Sequence, residues 1–96
     1  MGAAEKLKSN VDRIKKLGNQ YGARNLRVFG SVARGDAGTN SDVDLLVSLD
    51  ANRTLLDLGG FQSEVETLLA CKVDVVTDDS LHPLLKDKIL KEAKAL

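Results

Sequence analysis

Tryptophan is absent from the 96 residues, and Tyr21, Phe29 and Phe61 are the whole aromatic complement. That scarcity argues against the stacked aromatic platforms on which single-strand binders lay their bases. The single cysteine, Cys71, excludes an internal disulfide and suits a reducing cytoplasm, where it reads as a small apolar packing residue. Apolar runs last only a few residues, far short of the ~20 that a membrane helix needs, so no membrane association is expected. The first ten residues, MGAAEKLKSN, carry charges where a signal peptide has its apolar stretch. The expectation is a cytoplasmic protein of one domain, residues 1–96, because so short a chain has no room for a second core.

What is present is unevenly placed. The formal net charge is zero, but residues 1–24 carry six basic and two acidic side chains, whereas residues 36–79 carry ten acidic groups against Arg53 and Lys72. So acidic a middle argues against direct nucleic-acid binding through phosphates. It suits a cation site.

Hydrophobic periodicity lays out the elements. Leu7, Val11, Ile14, Leu17 and Tyr21 recur at helical spacing and predict one helix over 4–21, weakened by Gly18 and stopped by Gly22. LRVFG (26–30) reads as a short strand that ends in a glycine turn, and SDVDLLVSL (41–49) as a stronger one. Along the latter, Val43, Leu45, Val47 and Leu49 share one face, which leaves Asp42, Asp44, Leu46 and Ser48 on the other. Residues 54–70 form a helical pattern through Leu58, Phe61, Val65 and Leu68, with Gly59-Gly60 loosening its start. KVDVVT (72–77) is a β-branched strand, and Pro83 opens a last helix after His82, a turn or helix-start residue. The expected fold is α/β (α+β): a small mixed sheet of three or slightly more strands, with helices covering one face.

Three aspartates stand out on this frame. Asp42 and Asp44 project from one strand face, roughly 6.5–7 Å apart along it. Asp74, between Val73 and Val75, joins them if its strand pairs alongside. Such a face either meets water and carries polar residues by default, or gathers carboxylates for a cation. Two like charges at ~5 Å repel by roughly 3 kcal/mol at an effective dielectric of 20, so a converging set needs a counter-ion. Hard oxygen donors with one cysteine and one histidine, His82, point to Mg²⁺ or Mn²⁺ rather than Zn²⁺. Nearby, Gly30-Ser31 ends a strand where the backbone can approach a phosphate, with Ser31 and Arg34 able to donate to it. A lone Gly-Ser turn is in most cases merely structural. A P-loop is excluded because Asp36-Ala37, not Lys-Ser/Thr, follows Gly35, and an EF-hand because Val47 stands where its glycine belongs.

The combination is more specific than its parts. Gly30-Ser31, ten residues, Asp42-x-Asp44 and a third aspartate in a later strand resemble the nucleotidyltransferase superfamily of DNA polymerase beta and kanamycin nucleotidyltransferase. The fuller string, Gly30-Ser31-x-Ala33-Arg34-Gly35 with Ser41-Asp42-x-Asp44-Leu45, is similar to the minimal nucleotidyltransferases, the MNT family, with no departure at a motif position. The likeness runs on through LLDLGG, KVDVVT and HPLLKDKILKEA, nearly the whole chain.

That resemblance implies transfer of a nucleoside monophosphate from a nucleoside triphosphate. It implies that Asp42 and Asp44 hold two metal ions, that Asp74 completes the catalytic one, and that Gly30, Ser31 and Arg34 bind the β- and γ-phosphates. It further implies an antitoxin that moves AMP from ATP to a tyrosine of a HEPN-domain toxin. The alternatives are a non-catalytic binding antitoxin of the same fold, or transfer to a small-molecule or RNA hydroxyl.

Overall fold

The structure, a computed structural model, describes residues 2–38 and 41–96. In chain order it comprises α1 (Ala3–Ser9), α2 (Val11–Tyr21), β1 (Ala23–Phe29), α3 (Gly30–Arg34), β2 (Val43–Leu49), α4 (Leu55–Leu69), β3 (Val73–Thr77), α5 (Pro83–Glu92) and β4 (Lys94–Ala95). The four strands form one mixed sheet in the order β3-β2-β1-β4. β1 runs antiparallel to both β2 and β4, and β2 runs parallel to β3. The crossover between the parallel strands is α4, as such a pair requires.

The core lies on one face of this sheet. Val43, Leu45 and Val47 of β2 and Val73 and Val75 of β3 pack under Ala3, Leu7, Ile14, Phe61, Val65 and Leu69 from α1, α2 and α4. The period-two reading of β2 therefore holds on the core side. Leu46 departs from it: it belongs to the opposite face, between its register partners Arg27 and Val76, and is still fully buried.

The N-terminal helix is two helices. Asn10 leaves the helical region (φ −122°, ψ 13°), its N–H donating to the Leu7 carbonyl at 3.1 Å while its own carbonyl accepts from Ile14 at 2.9 Å and opens α2. Its side-chain amide donates to the Lys6 carbonyl at 2.8 Å. Asparagine offers the backbone such local alternatives, and apolar spacing does not register the break. β1 likewise begins earlier than the apolar pattern indicates. Its register with β2 shifts between Arg24 and Arg27 around Asn25, a bulge in the left-handed region (φ 52°) that asparagine tolerates.

Two further ends are set by side chains. Thr54 and Asp57 form a capping box that starts α4, the Thr54 N–H donating to Asp57 at 3.0 Å. These bonds hold the Asp57 carboxyl below the usual carboxylate range, the Thr54 backbone first and the Arg53 guanidinium after it. Gly60 lets α4 lie against α2, because a Cβ there would come within 2.6 Å of the Tyr21 ring. Cys71 packs at the margin of the core, where burial pushes its thiol up and keeps it protonated. Among the described residues no helix is long and apolar enough to cross a membrane.

Candidate active site

Asp44 and Asp74 are each the second residue of a strand, and the parallel pairing of β2 with β3 sets them in direct register. Register partners on adjacent strands point to the same face at a spacing of about 4.7–4.9 Å. Phe29, the partner of Asp44 on β1, flanks the pair on the other side. Asp42 lies just before β2, with its carboxylate 4.0 Å from the Lys72 ammonium. Among the described residues no three carboxylates, histidines or cysteines close on one point tightly enough to grip an ion by themselves. The charges nevertheless feel one another. Burial, then Asp74, then Asp42 push the Asp44 carboxyl above its ordinary value, against the pull of Arg34.

The glycine turn abuts this pair. Gly30 has φ 73°, and a Cβ there would collide with the Asp44 carboxylate. Only glycine satisfies both conditions. From Gly30 the chain enters the single turn of α3, closed by Gly35 in the left-handed region (φ 82°) with the Asp36 N–H donating to the Ser31 carbonyl at 3.0 Å. Arg34, at the end of that turn, donates to Asp36 at 3.2 Å and to Glu92 at 3.0 Å. Asp36 and then Glu92 raise the Arg34 guanidinium above its already high value. The structure thus brings Gly30, Ser31, Arg34, Asp44 and Asp74 to one end of the sheet, with Asp42 at its margin.

Glu92 belongs to this site and no sequence motif marks it. Its carboxylate accepts from the Gly30 N–H at 2.6 Å, across 62 residues of chain. A carboxylate in the last turn of a helix opposes the helix dipole, a mild penalty that does not by itself point to Gly30. Beside the Asp44–Asp74 pair, α5 walls a cleft of about 440 Å³ with Leu85 and Ile89 facing Phe29 and Val76. His82 stands at its rim as the N-cap of α5, its Nδ1 accepting from the Leu84 N–H at 3.1 Å. Its role is structural, as the sequence indicates.

Residues 6–96 match the nucleotidyltransferase domain family. The chain belongs to that family. It is 41% identical over 88 residues to "Putative protein adenylyltransferase MJ0435" of Methanocaldococcus jannaschii, covering 88% of this chain and 95% of that protein. It is 37% identical over 78 residues to protein adenylyltransferase MntA of Thermococcus cleftensis, covering 81% of this chain and 79% of the relative. A solved structure described as a "putative minimal nucleotidyltransferase" superposes with TM-score 0.87 at 42% identity, covering 97% of this chain and 95% of that one. Two more distant structures share the fold. One is a toxin–antitoxin with AMP-PNP (TM-score 0.76, 23% identity, 90% of this chain and 71% of that one). The other is the toxin–antitoxin MntA-HepT (TM-score 0.67, 20% identity, 91% and 68%). This nucleotidyltransferase therefore shares the fold of the minimal nucleotidyltransferase it superposes on.

The donor set fits a divalent cation. Mg²⁺ is characteristically held by one or two carboxylates and completed by substrate phosphates and water rather than caged by protein. The Asp44–Asp74 pair, in which burial first and then the neighbouring carboxylates raise the Asp44 carboxyl, answers that description.

Proposed function

We propose that this nucleotidyltransferase moves AMP from ATP to a hydroxyl on a protein partner, a tyrosine of a HEPN-domain toxin, and thereby acts as its antitoxin. The observation that carries the reading is the Asp44–Asp74 register pair set against the Gly30-Ser31 turn. The names of the relatives at 41% and 37% identity support a protein acceptor.

In this reading Asp42 and Asp44 hold two Mg²⁺ ions (Mn²⁺ can replace them), and Asp74 completes the site of the catalytic one. Bound there, the ions neutralise the triphosphate and lower the pKa of the attacking hydroxyl. The Gly30 N–H and the Ser31 hydroxyl bind the β- and γ-phosphates, and Arg34 adds charge beside them. The chain's own residues thus orient the triphosphate so that its α-phosphate meets the acceptor oxygen in line, with pyrophosphate leaving on the opposite side.

The unpaired thiol of Cys71 suits the cytoplasm, where such a partner would be met.

The test is mass spectrometry of the partner toxin after incubation with this protein and Mg²⁺–ATP. One or more AMP groups on a tyrosine, with loss of toxicity, is the expected result. A partner that is neutralised without modification overturns the transferase reading and leaves a binding antitoxin.

A further inference from the structure

One oxygen of Glu92 satisfies two donors of the glycine turn at once. Oε1 accepts from the Gly30 N–H at 2.6 Å and from Arg34 Nη1 at 3.0 Å, in a side chain only 15% exposed. A backbone N–H and a guanidinium converging on one anionic oxygen is the arrangement that receives a phosphate oxygen. We propose that Glu92 is an intramolecular competitor for the triphosphate: its carboxylate occupies the phosphate position between Gly30 and Arg34, and the nucleotide must displace it to bind. This inference rests on the assignment of Gly30 and Arg34 to phosphate binding made above.

The element that carries Glu92 buries little of itself. α5 contributes no fully buried residue, and Leu84, Leu85 and Leu90 on it are exposed. After Glu92 the chain leaves the helix at Ala93 with extended backbone and joins the sheet through two register pairs, Arg27 with Ala95 and Val28 with Lys94, and a bond from the Leu96 N–H to the Leu26 carbonyl at 3.1 Å. A helix with so little buried surface opens at low cost. Its last turn also places the carboxylate at the negative end of the helix dipole and near Asp44, both unfavourable to a second negative charge. The contact with Gly30 and Arg34 offsets these penalties, and a triphosphate with its cation offers the same donors a better anion.

The expected size follows from the share of molecules in which the site is free. If the carboxylate occupies it nine-tenths of the time, apparent affinity is lowered about tenfold, and removing the carboxylate restores it. Binding of Mg²⁺–ATP and of inorganic tripolyphosphate is measured by calorimetry for wild type, Glu92→Gln and Glu92→Ala. Glu92→Ala should bind both about three- to tenfold more tightly, with Glu92→Gln between it and wild type. In parallel, hydrogen exchange on the wild-type protein should show residues 83–92 losing protection when Mg²⁺–ATP is added. That second measurement decides the matter if either variant melts early. Equal or weaker binding by both variants, or unchanged exchange in α5 under saturating nucleotide, overturns the competitor while leaving the nucleotide site intact. Wild type and variants that all bind neither ligand overturn the phosphate assignment itself, and the competitor with it.

Discussion

Asp44 and Asp74 face each other in register across the parallel β2–β3 pair, and the Asp44 carboxyl is held above its ordinary value, first by burial and then by Asp74 and Asp42. A raised carboxyl means that the folded state binds its proton more tightly than the unfolded chain does. Stability therefore falls as pH rises from the ordinary carboxylate value of about 4 through the raised one, and the full penalty applies above it. Asp44→Asn removes the penalty. Its melting temperature should exceed that of wild type at pH 7 to 8, and the difference should vanish near pH 3, as calorimetric scans across that range would show.

The same pair should make stability depend on ligand. Mg²⁺–ATP at a hundredfold excess over Kd should stabilise the wild-type protein by about 2.7 kcal/mol. Asp42→Asn and Asp44→Asn should lose most of that gain. A wild-type melting curve indifferent to Mg²⁺–ATP would count against the site.

Asp74→Ala separates binding from chemistry. Gly30, Ser31 and the Asp42–Asp44 side of the site remain, so triphosphate affinity should change little. Transfer should fall by orders of magnitude, because the acceptor hydroxyl loses its activating ion. Parallel titration and single-turnover assays distinguish this from a variant in which both fall together, which would show that Asp74 has another role.

Two adjacent glycines in α4 should respond oppositely to the same change. A Cβ at Gly59 meets nothing within 4 Å, so Gly59→Ala should stabilise the helix by about 0.5–1 kcal/mol. A Cβ at Gly60 would meet the Tyr21 ring at 2.6 Å, so Gly60→Ala should destabilise by about 1–3 kcal/mol through forced repacking of α2 on α4. Urea denaturation of both variants checks the pair. Two stabilised variants would mean that α2 and α4 pack differently.

Gly30 is the more demanding glycine. Alanine there combines a positive φ with a collision against Asp44, so Gly30→Ala should lose nucleotide binding while most of the fold survives, since the core lies on the opposite face. Circular dichroism beside a nucleotide titration reads both effects.

Local chemistry made much of this legible in the sequence. Period-two alternation placed Val43, Leu45 and Val47 inward and Asp44 outward, because side chains on a strand alternate whatever surrounds them. Glycine, proline and histidine marked the end of α2 and the start of α5 for equally local reasons. The resemblance carried by Gly30-Ser31, Asp42-x-Asp44 and Asp74 together was enough to point to nucleotidyl transfer. Other features were settled only when distant segments met. Asn10 divided a helix that apolar spacing joins, because a hydrogen-bonding preference carries no periodicity. β4, two residues long, exists only because β1 presents an edge to it. The register that sets Asp44 against Asp74 depends on how α4 returns the chain, and no residue between them specifies it. Glu92 reaches Gly30 across 62 residues because α5 runs back along the sheet, a contact between two groups that neither segment announces on its own.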